Sequence, residues 1–155
     1  MKDVSRRPDL YAEVVVCSPF IDETMQRLLV RIARVTHAAQ CGLRIITTSP
    51  TASALRERLP GHPAAWGHVV LGRQGLHAKV YLALSRQRAL SEVIVTSANF
   101  TTAGIDENIE LGIRARPSTD YGRQLMDEVR HFLRAIATPV LGDRSAVSRL
   151  HTRAR

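Results

Sequence analysis

Three short segments hold the side chains best suited to chemistry: Leu76-His77-Ala78-Lys79-Val80-Tyr81-Leu82, Thr96-Ser97-Ala98-Asn99-Phe100 and Asn108-Ile109-Glu110-Leu111-Gly112. In an extended strand, residues two apart share a face, so His77 goes with Lys79, Ser97 with Asn99 and Asn108 with Glu110. If the three segments are neighbouring strands, one face collects an imidazole, an ammonium, a hydroxyl, amides and a carboxylate. That set suits a phosphodiester. Its anionic oxygens repel nucleophiles, so a catalyst must neutralise charge, supply a nucleophile and protonate the departing oxygen. An imidazole can do two of those jobs.

These segments give the chain its resemblance to the phospholipase D superfamily, whose H-x-K and G-S-x-N elements are matched by His77-Ala78-Lys79 and Ser97-Ala98-Asn99. The resemblance runs from about Val14 to about Ile136, and its specific part is Leu76 to Ile113. A lone H-x-K carries little; its conjunction with S-A-N-F-T and then N-I-E-L-G carries the match. The resemblance implies that His77 attacks phosphorus to form a phosphohistidine that water later hydrolyses, with no metal and no other cofactor. It implies that Lys79 offsets the phosphate charge, that Asn99 and Ser97 donate hydrogen bonds to substrate, and that Glu110 accepts a proton from the second nitrogen of His77. Two positions depart from the family pattern. Leu84 stands where H-x-K-x4-D has its aspartate, and Thr96 where glycine usually precedes the serine. Nuclease-like branches often lack that aspartate, so Leu84 weakens the match to the lipase branch more than it weakens the chemistry. The family mechanism uses two histidines, one as nucleophile and one as acid, yet this chain has a single H-x-K. A two-fold homodimer supplies the second, as would an H-x-K domain in another chain.

Other candidates weigh less. His77 by itself would be an ordinary core histidine; Lys79 and Asn99 beside it favour function, because burying an unpaired lysine costs several kcal/mol. His37, His62, His68, His131 and His151 have no lysine and asparagine in the matching places. His62 and His68 lie in a loop without a third ligand and read as surface histidines rather than a metal site. Ser97 has no base at a fixed offset, which argues against a nucleophilic serine. Asp106 and Glu107 suit a solvated loop, and only Glu110 is in strand phase with Asn108. Cys17 and Cys41 have no metal-ligand spacing and read as free buried thiols.

The chain has 155 residues, of which 45% are hydrophobic, enough for one domain with a core of its own. No run approaches the roughly 18 apolar residues of a membrane span, and Met1 to Pro8 lacks the apolar core of a signal peptide; a cytoplasmic protein is expected. Lys and Arg number 22 against 14 Asp and Glu, for a net charge of +8, and all but two of the basic residues are arginine. Arginine forks match phosphate oxygens. Arginine-rich composition alone is weak evidence, but joined to a phosphodiester site it favours a nucleic-acid partner. Arg27, Arg31 and Arg34 on one helix face, and Arg73 in the turn Gly72-Arg73-Gln74-Gly75, are the candidate contacts.

The pattern of apolar residues predicts the elements that must position this site. Glu13 to Phe20 reads as a buried strand. Asp22 caps a helix with Met25, Leu28, Leu29, Ile32 and Ala33 inward, stopped by Gly42. Leu43 to Thr48 then forms a strand parallel to the first. A short helix over Thr51 to Leu59, a loop from Pro60 to Trp66 and a strand over His68 to Leu71 lead to the His77 strand; a hairpin loop at Ser85 to Ser91 leads to a strand over Glu92 to Thr96. Asn108 to Arg114 is expected as a strand whose apolar face is Ile109, Leu111 and Ile113. A final helix from Thr119 buries Leu125, Val129, Phe132 and Ile136 and ends at Pro139. The expectation is an α/β domain of the phospholipase D type over residues 1–140, a mixed sheet flanked by helices, with a basic mobile tail over 141–155. The function expected is metal-independent endonuclease activity, on DNA in preference to RNA; family association extends this to a cutting module among the subunits of a prokaryotic restriction or phage-defence assembly. The rivals are a phospholipid phosphodiesterase or phosphatidyltransferase, and a non-catalytic nucleic-acid-binding subunit.

Overall fold

The computed structural model describes residue 4 and residues 6–59 and 68–137. The loop at 60–66, His62, Pro139, the tail from Leu141 and His151 lie outside the described residues. Six strands, β1 (Tyr11–Cys17), β2 (Gly42–Thr47), β3 (His68–Gly72), β4 (Val80–Ser85), β5 (Glu92–Thr96) and β6 (Gly112–Ala115), form one sheet in the order β3-β2-β1-β4-β5-β6. β1, β2 and β3 are parallel, whereas β4, β5 and β6 each run antiparallel to the neighbour before them. Helices α1 (Glu23–Ala38) and α2 (Ser49–Arg58) follow β1 and β2, and α3 (Asp120–Ala137) follows β6. The expected α/β architecture, a mixed sheet flanked by helices, is observed.

The core has two sides. Val14 and Val16 of β1 pack with Leu43, Ile45, α1 and α2, while Val15 and Cys17 pack with Val80, Leu82, Val93 and α3. This explains why Val14-Val15-Val16-Cys17 is an unbroken apolar run: the strand is covered on both faces. Asp22 caps α1 as expected, its Oδ1 accepting the Met25 N–H at 2.8 Å. The helix stops earlier than Gly42, because Gln40 takes the left-handed conformation (φ 54°) and the Cys41 N–H returns to the Thr36 carbonyl at 2.8 Å. Gly42 opens β2 instead.

Three expectations need correction. His77 and Lys79 precede β4, Ser97 and Asn99 follow β5, and Asn108 and Glu110 precede β6, so all six lie in segments at strand ends and not within strands. Ile109, Leu111 and Ile113 are not core: they are 105%, 83% and 50% exposed. Alternation marks one side of a segment as apolar but says nothing about what covers it, and β6 is an edge strand. The buried stripe of α3 is Met126, Val129 and Leu133, leaving Leu125 half-buried and Phe132 39% exposed. Those two side chains instead wall a groove.

Candidate active site at the strand ends

The strand directions bring the C-terminal ends of β1, β2, β3 and β5 to the same edge as the N-terminal ends of β4 and β6. Every polar residue singled out from the three motif segments falls on that edge. Gly75 makes the turn into it with φ 70°, a conformation that a side chain there would strain. Leu76 then anchors in the core, leaving His77 exposed and Lys79 half-buried. The Lys79 ammonium donates to the His77 carbonyl at 3.2 Å, and the Thr96 N–H to the Lys79 carbonyl at 3.1 Å. His77, Lys79, Thr96 and Ser97 line one side of a groove of about 470 Å³, and Leu125, Glu128, Val129 and Phe132 of α3 line the other.

The backbone on either side of Asn99 is held by residues distant in sequence. The Phe100 N–H donates to Ser18 Oγ at 2.9 Å, and the Ser18 hydroxyl donates to the Phe20 carbonyl at 2.8 Å. The Tyr81 hydroxyl donates to the Ala98 carbonyl at 2.9 Å, and its ring meets Phe100 at 5.6 Å and 48°. Burial pushes the Tyr81 phenol up to about 12, so it stays a neutral donor. A π-helical turn, Ala103–Glu107, follows. Within it, a Cβ on Gly104 would come 2.5 Å from the Asn99 carbonyl, so only glycine fits. The Thr102 N–H donates to Asp22 Oδ2 at 2.5 Å, tying this turn to the cap of α1. Partial burial opposes ionisation of Asp22, but the N–H donors of Thr102, Met25 and Thr24 outweigh it and hold the carboxyl below its usual range.

The result is an amide oxygen without a partner. Asn99 Oδ1 is buried with no hydrogen-bond partner among the described residues. Buried polar groups are nearly always paired, so an unpaired one at this edge points to a group supplied from outside.

Glu110 takes partners other than the one expected. The Ser97 hydroxyl donates to its Oε2, the Asn108 amide donates to Oε1 at 3.4 Å, and no hydrogen bond joins it to His77 among the described residues. The pairing of Thr96 with Gly112 at the end of the β5–β6 ladder explains this. It sets Ser97 opposite Leu111, with the Ser97 N–H donating to the Leu111 carbonyl at 2.9 Å and the Leu111 N–H donating to Ser97 Oγ at 3.1 Å. Glu110 therefore orients Ser97.

The arginines divide between places. Arg73 is at the same sheet edge, its backbone N–H on the Thr47 carbonyl at 2.7 Å and its Nε on the Ile136 carbonyl. Arg27, Arg31 and Arg34 are exposed on α1, across the sheet from the groove, and Arg27 pairs with Glu23 at 3.4 Å. Both cysteines are free and buried; burial pushes Cys17 up to about 12 and Cys41 up to about 11, which keeps the thiols protonated. Among the described residues no group of three or more His, Cys, Asp or Glu is placed to hold a metal ion, and no helix is long and apolar enough to cross a membrane. Compared with protein-family models the chain matches none, and no curated protein matches it.

Sequence reasoning missed Ser18, Tyr81 and Gly104 as positioning residues and Glu128 and Phe132 as groove wall. Only the serine before Pro19, a polar residue ending an apolar strand, offered a local signal.

Proposed function

We propose that the chain is a phosphodiesterase of the phospholipase D type acting on nucleic acid, with DNA the favoured substrate. The convergence of His77, Lys79 and Ser97 on one groove carries this proposal. His77 attacks phosphorus as the P–O bond to the leaving oxygen breaks, and the leaving oxygen takes a proton from a second histidine. Water then cleaves the phosphohistidine, returning the imidazole. Lys79 supplies the positive charge and the N–H donors of Asn99 meet the phosphate oxygens, while Ser97, whose proton is held by Glu110, lines the groove. The second histidine comes from another copy of the chain. The exposed Ile109, Leu111 and Ile113 support such a partner, since exposed apolar runs mark contact surfaces.

The apolar wall of Leu125, Val129 and Phe132 favours a second reading, phospholipid hydrolysis. One assay separates the two. Purified chain should cleave labelled DNA in excess EDTA and leave phosphatidylcholine vesicles intact, and His77→Ala should abolish cleavage without lowering the melting temperature. Release of lipid headgroup without DNA cleavage would establish the phospholipid reading; unimpaired His77→Ala would remove both.

A further inference from the structure

At the far end of β4 and α3 from His77, on the same face of the sheet as the catalytic groove, lies a second hollow of about 370 Å³. Arg88, Arg123 and Arg130 line it with Ser91 and Asp127, over a floor of Leu84 and Met126. We propose that this hollow binds a backbone phosphate of the nucleic acid away from the bond that is cut. The proposal rests on the reading above only in taking nucleic acid as the ligand.

The three guanidinium groups come from separate places: the 3-10 turn Arg88–Leu90, the first turn of α3 and its middle. Two carboxylates oppose them: Asp127, in the lining, contacts Arg130 loosely at 4.0 Å, and Asp120 pairs with Arg123. Arg88 makes no ion pair with a described residue. Arg123 is oriented in advance, donating to the Pro117 carbonyl at 3.1 Å and to Asp120. Ser91 is 3% exposed. Its oxygen accepts the Ser85 N–H at 2.9 Å, and its own proton has no acceptor among the described residues, leaving a donor for an oxyanion. Three guanidinium groups against one lining carboxylate leave the concave wall net positive, which concentrates potential, and guanidinium forks match phosphate in two-point geometry. The arginines of α1 differ on each count: they stand on a convex helix face, across the sheet from the catalytic groove, with Glu23 against Arg27. Val80 in the catalytic groove and Leu84 under this hollow are four residues apart on β4. At about 3.3 Å per residue that is about 13 Å, a span of roughly four base steps along one strand of a duplex.

Binding of a fluorescent single-stranded oligonucleotide, measured by anisotropy over a salt series in the uncleaving His77→Ala chain, tests this. Arg88→Ala with Arg130→Ala should weaken affinity at least tenfold. The slope of log affinity on log salt should become shallower by roughly 0.7 for each arginine–phosphate pair removed. Arg27→Ala with Arg31→Ala removes equal charge from the other side of the sheet and should change affinity less than twofold. Equal losses in the two double variants, or none in the first, would overturn the proposal. So would Arg88-dependent binding of inorganic phosphate with oligonucleotide affinity unchanged, which would assign the hollow to a small phosphate ligand. Arg88→Ala alone, on an exposed turn, repeats the test if the double variant unfolds. Failure of the catalytic reading is seen separately, as an oligonucleotide that the wild-type chain binds and never cuts.

Discussion

Asn99 sits at a cost to the fold: its amide oxygen is buried and unpaired, where such a group is usually worth about 1–3 kcal/mol of lost stability. That oxygen can only accept a hydrogen bond; in the proposed site it is the N–H donors of the same amide that meet a phosphate oxygen, and only with substrate bound. Asn99→Ala should therefore lower kcat about a hundredfold, the usual loss for one transition-state donor, without lowering the melting temperature. A fall in stability with kcat unchanged would make Asn99 structural. At this scale the sequence was readable for His77, Lys79, Ser97 and Asn99, because two-residue spacing and residue type suffice to group them. It was not readable for Glu110, whose partner depends on the β5–β6 register, nor for Ser18 and Tyr81, which act through hydrogen bonds across 82 and 17 residues of chain.

At the scale of elements, Asp22 joins two of them, capping α1 and holding the π-helical turn after Asn99. Its folded-state pKa lies below the ordinary value of 3.8. Its ionised form therefore contributes stability that is full well above 3.8 and is lost as pH falls through the lower folded value. Asp22→Ala should cost about 0.5–2 kcal/mol at neutral pH, the range for removal of an N-cap. In urea unfolding, the gap from wild type should close as the pH drops below 3.8. A gap independent of pH would show that the carboxylate's charge is not what holds the turn. The cap was legible because it is local, and so was the parallel β1–α1–β2 unit. The buried stripe of α3 was displaced because periodicity gives the spacing of apolar residues, while the helix's seat on the sheet decides which of them are covered. Leu125 and Phe132 fit the period and line a groove.

For the whole molecule, the sheet edge gathers the side chains proposed to cleave a phosphodiester, except for a second histidine. Among the described residues, His131 is exposed on α3 and is not part of the groove lining. The exposed Ile109, Leu111 and Ile113 beside the site give a second copy a surface to cover. The missing acid was legible in the sequence, which has a single H-x-K; the exposure was not, because alternation marks those three residues as one apolar face without showing what covers it. The most direct measurement is to titrate His77→Ala chains into wild-type chains, verify subunit exchange, and follow the rate of DNA cleavage. A site shared by two chains predicts activity falling with the square of the wild-type fraction, because only wild-type pairs hold both nucleophile and acid. A linear decline would contradict it, showing that one chain cleaves with the groups it already has.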